Sequence, residues 1–263
     1  MSLALHFTAK ARKLSRAQRA ARLRAAAKTL QVRRRTEERY VRALRAGVQT
    51  AADAIVLAAL GQRVDNRRTE ARDRVESAFR GVEKPLAEHV QASYRGMFDA
   101  VADANVDTIA ALGLPVRPSA GVADLFEAKL GENVGLIKAD VIGLQEEVLA
   151  ILDDVENIGL RVEDLAELIG ERVDVSLSRA TLIARDQTLK LNGALNALRQ
   201  TEAGVESYTW STSRDERVRE SHAELEGETF SWDDAPEPGH PGEDIQCRCV
   251  AIPVIAEFEG LDL

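Results

Sequence analysis

The sequence has few cysteines, few aromatic residues and no long apolar run. Two cysteines in 263 residues cannot form a disulfide framework, which favours a reducing compartment. Charged residues interrupt every apolar stretch before it approaches the ~20 residues that a membrane-spanning helix needs. The segment from Leu3 to Phe7 is too short for the apolar part of a secretory signal. We therefore expect neither a secreted disulfide scaffold nor a protein that contacts a membrane in its working state.

The net charge of −8 conceals an uneven distribution along the chain. Residues 1–46 contain 14 Lys and Arg and only two acidic residues, a local charge of +12. Residues 47–200 carry −8, and residues 201–263 carry −12 from 16 acidic and 4 basic residues. We predict three parts on this basis: a basic helical arm (1–46), a helical body (47–200) and a compact tail (201–263).

Helical periodicity dominates the first two parts. Apolar residues at spacings of three and four, such as Val41, Leu44 and Val48, mark one buried helical face. We predict a helix from about Arg16 to the low 70s, with a break near Gly61. Four Gly and Pro residues between positions 113 and 121 predict a loop. Further helices are predicted over residues 72–112, 122–130, 134–155, 161–171 and 176–199.

The tail has a different composition and period. It holds both Trp, both Cys and five of the eleven aromatic residues. Alternating β-branched and aromatic residues predict strands over 207–212, 229–232 and 247–255, with a short helix over 214–225 and a turn at Glu226-Gly227. The predicted fold class is therefore mainly α, an elongated helical body with a small C-terminal α+β module.

Four residues of the tail are types that bind zinc: His222, His240, Cys247 and Cys249. A small module with little apolar content gains much stability from a metal, so we predict that zinc is a cofactor held by these four side chains. The alternative is that the cysteines are small half-buried hydrophobes and the histidines are solvated. Asp215 is either a fifth ligand or a partner of a helix N-terminus.

Motifs for catalysis are weak. No Ser occupies a nucleophile-elbow pattern, and no Gly-rich phosphate loop is present. A Cys249–His222 pair acting as nucleophile and base is less favoured than metal binding, because Cys247 lies two positions away. We predict a protein that is not an enzyme. The alternative is a metal-dependent hydrolase or nuclease that uses Asp215, His222 and His240.

The basic arm is densest at Arg33, Arg34 and Arg35. Such a run can contact nucleic-acid phosphates or an acidic protein surface. Aromatic residues for base stacking are nearly absent from the arm, so sequence-specific recognition is not indicated. A generic helical nucleic-acid-binding protein is a further alternative for the whole chain.

Several tail motifs resemble those of one family. Residues 208–227 read YTWSTSRDERVRESHAELEG, followed by PGHP at 238–241 and CRC at 247–249. Together with RATLIARDQ at 179–187 and KLNG at 190–193, they are similar to the phage Mu protein F-like domain. The resemblance is specific from about 176 to 253 and weaker from 120. The residues that match the family motif are Trp210, Asp215, Arg217, His222, Gly227, His240, Cys247, Arg248 and Cys249.

The resemblance implies a structural minor head (capsid) protein of a tailed bacteriophage. Proteins of this family act in head morphogenesis, DNA packaging or DNA ejection. The implied location is the virion, inside the capsid near the portal, with the host cytoplasm as the site of assembly. The implied partners are the portal protein, a scaffold or major capsid protein, and packaged DNA reached through the basic arm.

Overall fold

The computed structural model describes residues 28–60, 68–158 and 162–255, together with residues 18, 21 and 25. Five helices and three strands are complete within these residues. Four helices precede the strands: α1 (Arg34–Leu60), α2 (Arg68–Ala111), α3 (Ala120–Ile158) and α4 (Val162–Glu202). The tail consists of β1 (Ser207–Ser211), α5 (Glu220–Ala223), β2 (Thr229–Ser231) and β3 (Val250–Pro253). The mainly α fold with a small α+β module is confirmed.

Helix α1 confirms the apolar face predicted from the spacing of its residues, because Leu44, Val48 and Ile55 are all fully buried. The predicted helix does not run unbroken from about Arg16, because residues 30–33 are not helical and α1 begins at Arg34, while the described residues 18, 21, 25, 28 and 29 before this break are helical. The predicted break near Gly61 lies outside the described residues. By length and composition α1 could cross a membrane, but a core helix passes the same test, and the apolar face of α1 is buried in the protein.

The other long helices are more continuous than predicted. Two predicted helices merge into α3, and two merge into α4. Glycine in a helix interior costs only about 1 kcal/mol relative to alanine, so Gly131, Gly135 and Gly170 do not end a helix whose apolar face continues past them. Gly121, predicted to lie in a loop, instead belongs to the first turn of α3.

The chain divides into two compact units, and each of the three longest helices contributes residues to both. One unit, here called the helical unit, contains Glu37–Met97 and Ala128–Arg185. In its core the Tyr40 hydroxyl donates a hydrogen bond to Asn133 Oδ1 at 2.7 Å, and the Tyr40 ring lies edge-on to Tyr94. The predicted three-part division of the chain at residues 46 and 200 stays a prediction.

The second unit, here called the tail unit, contains the described residues of Met1–Thr36, Phe98–Glu127 and Asp186–Leu263. Its sheet has the order β2-β1-β3, and both pairings are antiparallel. The central strand β1 pairs Tyr208 with Phe230 on one side and Trp210 with Ala251 on the other. Strand β1 therefore lies at the centre of the tail.

The two faces of the sheet pack against different groups. Side chains alternate along a strand, so Tyr208 and Trp210 share one face of β1. They pack with Cys247, Cys249 and Ala251 in what we call the aromatic–cysteine cluster. The opposite face of β3 packs with Leu30 of the N-terminal segment and with the end of α2. The sheet is therefore buried on both sides.

Two predicted tail elements are shorter in the structure. The predicted helix over 214–225 is reduced to Glu220–Ala223, because Thr212 and Asp215 accept hydrogen bonds from the backbone N–H groups of Arg214 and Arg217. The predicted strand from 247 begins only at Val250, so both cysteines precede it. Strands over 207–211 and 229–231 and the turn at Gly227 are confirmed.

Candidate metal centre

His222, Cys247 and Cys249 form a buried cluster of three metal-binding side chains. One ligand atom from each lies within 4.8 Å of the other two. His222 Nδ1 is 3.5 Å from Cys247 Sγ and 3.5 Å from Cys249 Sγ. The three residues are only 2%, 3% and 6% exposed. Within the described residues, this is the group of His, Cys, Asp and Glu side chains with the geometry to hold a metal ion.

The backbone before β3 brings the two sulfurs to the same place. Gln246 has a positive φ of 54°, which turns the chain sharply before Cys247. The Gly242 backbone N–H points at Cys247 Sγ at 3.4 Å. The thiol of Cys249 and this N–H lower the pKa of Cys247 to about 6, whereas the contact with Cys247 and burial raise the pKa of Cys249. The Trp210 indole also lies against the Cys249 sulfur and opposes that rise.

Helix α5 positions His222 between an aromatic ring and a carboxylate. The imidazole lies edge-on to Trp210, with ring centroids 5.4 Å apart. On its other side, His222 Nε2 is 3.2 Å from Asp244 Oδ2, although the orientation of the two groups falls short of a hydrogen bond. Arg219 holds Asp244 in place through a 3.1 Å ion pair and donates to the carbonyl of Ile245 at 2.8 Å. Sequence reasoning missed Asp244, since an acidic residue in a loop carries no distinguishing pattern.

His240 does not belong to this cluster. Its Nδ1 shares a 2.8 Å hydrogen bond with the Tyr208 hydroxyl. Its ring lies 5.1 Å from the Trp232 ring, and its backbone N–H donates to Glu243. The structure thus brings together three of the four residues predicted to bind zinc and places the fourth against the aromatic rings of the sheet.

Asp215 is paired with Arg248. Both Arg248 terminal nitrogens donate to the Asp215 carboxylate at 2.5 Å, and the hydrogen bond from Arg248 lowers the pKa of Asp215. Asp215 also accepts from the backbone N–H of Arg217 at 3.0 Å, while the Arg217 side chain is exposed. The structure does not join Asp215, His222 and His240 in one cluster, so it gives no support to a hydrolase that uses these three residues.

Trp210 and Gly227 hold together the two ends of the segment that joins β1 to β2 and contains α5. The Gly227 backbone N–H donates to the Trp210 carbonyl at 2.9 Å, and the Trp210 N–H donates to the Glu228 carbonyl at 2.8 Å. Gly227 has a φ of 84°, a conformation that glycine adopts without a steric penalty. Trp210 itself is fully buried. Both residues therefore have structural roles.

Helix α4 anchors the loop that carries the cysteines, a role that sequence reasoning did not assign. Asp186 accepts a hydrogen bond from the Gln246 backbone N–H at 2.7 Å and pairs with Lys190 at 2.9 Å. Gly193 lies so close to the loop that a β-carbon there would be 2.6 Å from the Pro241 carbonyl oxygen. Asp186, Lys190 and Gly193 follow each other at helical spacing, and this shared face is the signal that could have revealed the contact.

The three arginines of the basic arm are exposed where α1 begins. Arg33 precedes the helix and its carbonyl accepts a hydrogen bond from the Thr36 N–H at 2.9 Å, while Arg34 and Arg35 lie in the first turn. Arg45, which is also exposed, donates to the Leu177 carbonyl and to the Thr181 hydroxyl.

A long helix followed by a three-stranded sheet with a buried His–Cys–Cys cluster defines the class of protein: a helical protein with a compact α+β tail. Residues 149–252, which cover the end of α3, all of α4 and nearly all of the tail, match the family model described as Phage Mu protein F like protein. The resemblance found in the sequence is confirmed: the chain carries a phage Mu protein F-like region. This family indicates a protein related to phage head morphogenesis.

A protein of Haemophilus influenzae (strain ATCC 51907 / DSM 11121 / KW20 / Rd), described as "Uncharacterized protein", is 40% identical to this chain over 154 residues. The match covers 56% of this chain and 33% of that protein, so it spans about a third of the length of this relative. No solved structure matches the chain.

Proposed function

We propose that the protein is a structural minor head protein of a tailed bacteriophage that acts in head morphogenesis at the portal and in DNA packaging or ejection. The observation that carries the proposal is the match of residues 149–252 to the phage Mu protein F-like family. The proposed location is the capsid interior near the portal, after assembly in the host cytoplasm.

The contacts of the family-motif residues support a structural, non-enzymatic role. Trp210 is a buried residue of the central strand, Asp215 and Arg248 form an ion pair, and the Gly227 backbone N–H bonds the Trp210 carbonyl. Each of these side chains or backbone groups is engaged within the tail unit. Catalytic groups, by contrast, must face a substrate.

The charge distribution supports two kinds of partner. The +12 of residues 1–46 suits packaged DNA or an acidic protein surface, and Arg33, Arg34 and Arg35 are exposed for such a contact. The −12 of residues 201–263 suits a basic protein surface. We propose the portal protein as the main partner, with a scaffold or major capsid protein as a second.

Deletion of the gene from its phage tests the proposal. Electron microscopy, DNA content and infectivity of the mutant particles separate the roles: few or aberrant heads indicate assembly, empty heads indicate packaging, and full but non-infectious heads indicate ejection. Complementation with the wild-type gene is the control, and mass spectrometry of purified wild-type virions should detect the chain. Virions that lack the chain, together with a mutant of normal yield and infectivity, would overturn the proposal.

A further inference from the structure

We propose that the tail unit binds one zinc ion through His222 Nδ1, Cys247 Sγ and Cys249 Sγ, with Asp244 orienting the imidazole. This ligand set differs from the one predicted from the sequence, since it excludes His240. The zinc site does not depend on the proposed role in the phage head, so either proposal can be wrong while the other holds.

The distances between the ligand atoms carry the proposal. Zinc binds thiolate sulfur at about 2.3 Å and imidazole nitrogen at about 2.0–2.1 Å in tetrahedral geometry, which places nitrogen and sulfur about 3.6 Å apart. The observed separations from His222 Nδ1 are 3.5 Å to each sulfur. Both separations therefore match the nitrogen–sulfur distance of a tetrahedral zinc site.

The surroundings of the imidazole place its two nitrogens on different partners. Asp244 Oδ2 lies 3.2 Å from His222 Nε2, and Nδ1 is the nitrogen that faces both sulfurs. Arg219 fixes Asp244 from the outside at 3.1 Å. A carboxylate behind a metal-binding histidine is the arrangement expected when the ring must keep one orientation.

The charges of the cluster also suit a divalent ion. Cys247 and Cys249 bind Zn²⁺ as thiolates, and the two thiolates balance the two positive charges of the ion. A neutral centre avoids the cost of burying a net charge where the three ligands are at most 6% exposed. The Gly242 backbone N–H, 3.4 Å from Cys247 Sγ, points at that sulfur from the loop.

The experiment measures metal bound to the full chain. The protein is purified under reducing conditions with zinc in the medium, and its zinc content is determined by mass spectrometry of the metal. Cobalt then replaces zinc, because tetrahedral cobalt with thiolate ligands has a distinct absorption spectrum. We expect one ion per chain and a sulfur-to-cobalt band. Absence of zinc and of any cobalt spectrum, or a Cys247–Cys249 disulfide in the reduced preparation, would overturn the proposal.

Variants identify the ligands. Cys247→Ser and Cys249→Ser should each lose the ion. His222→Cys should keep the ion and strengthen the sulfur-to-cobalt band, a gain of signal that a misfolded variant would not give. His240→Gln is the matched control and should keep the metal content and the cobalt spectrum of the wild type. If His240→Gln loses the ion while remaining folded by circular dichroism, the proposed three-residue set is wrong.

The role of Asp244 has its own test. Asp244→Asn should lower zinc affinity by about 10- to 100-fold and shift the cobalt spectrum, as expected for a partner of a metal-binding histidine. Glu243→Gln changes the adjacent carboxylate, which accepts the His240 N–H instead, and is the control. Unchanged affinity and spectrum in Asp244→Asn would remove Asp244 from the site.

Discussion

A β-carbon on Gly193 of α4 would lie 2.6 Å from the carbonyl oxygen of Pro241, so helix and loop meet backbone to backbone at this point. The same close approach is found from the loop, because a β-carbon on Gly242 would lie 3.0 Å from the Gly193 Cα. The loop continues directly into the cysteine segment. The family motif on α4 therefore provides the surface on which the candidate metal centre is built.

Gly193→Ala should destabilise the tail unit. The added methyl group meets backbone rather than a flexible side chain, and overpacking of this kind costs about 1–3 kcal/mol. Gly170→Ala is the matched control in the same helix, since nothing lies within 4 Å of a β-carbon there. The control should be neutral or more stable by up to about 1 kcal/mol. Urea unfolding of both variants measures the difference, and equal stability would contradict the close contact.

Asp186→Ala should also loosen the cysteine loop. It removes the carboxylate that accepts the Gln246 backbone N–H at 2.7 Å, and a hydrogen bond to a charged group contributes about 1.5–3 kcal/mol. Asp174→Ala removes an exposed carboxylate of the same helix and is the control. Hydrogen exchange should show faster exchange of the Gln246 and Cys247 amides in Asp186→Ala alone. Unchanged protection in that variant would argue against Asp186 as the anchor.

Most of the fold follows from local patterns in the sequence. The spacing of Leu44, Val48 and Ile55 identifies the buried face of α1, and alternation around Tyr208 and Trp210 identifies the central strand. Helix boundaries were less predictable, because a glycine ends a helix only when the apolar face ends as well. Where Thr212 and Asp215 bind backbone N–H groups, the predicted helix over 214–225 did not form.

The candidate site was only partly predictable. Residue type alone pointed to His222, Cys247 and Cys249, since these are soft metal ligands in a small module. Residue type could not show that Asp244, and not His240, lies beside His222. The path of the loop determines this, because it directs His240 to the Tyr208 hydroxyl and brings Asp244 to His222 Nε2. Such a path depends on contacts with α4, and no short sequence pattern encodes them.

The stability of the tail should fall in acid as two carboxylates become protonated. The hydrogen bond from Arg248 lowers the pKa of Asp215, and hydrogen bonds from Thr212 and Arg214 outweigh burial and lower the pKa of Glu226. Groups with a lowered pKa stabilise the fold above their unfolded values of 3.8 and 4.5, and this stabilisation is lost as the pH falls through the lower folded values.

Thermal unfolding between about pH 6 and pH 2 measures this loss of stability. Asp215→Asn and Glu226→Gln should each be less stable than the wild type at pH 6 and should lose less stability on acidification. Added salt should shrink the Asp215 effect, because that side chain is 38% exposed. Glu216→Gln, a change in an exposed neighbour, is the control. Parallel pH profiles for the wild type and both variants would show that the two ion pairs do not contribute.

Replacement of Arg33, Arg34 and Arg35 by alanine tests the contact proposed for the basic arm. If these exposed side chains bind DNA phosphates, affinity for duplex DNA should fall, and the slope of log K against log salt should decrease by up to about 2.7, or 0.9 for each lost contact. The matched control removes three other exposed cations, Arg80, Lys84 and Arg117. A fluorescence titration at several salt concentrations measures both variants. Equal losses of DNA affinity in the two variants would mean that net charge alone determines DNA binding. If neither variant loses DNA affinity, the arm does not bind DNA through these residues, and a protein surface is its partner.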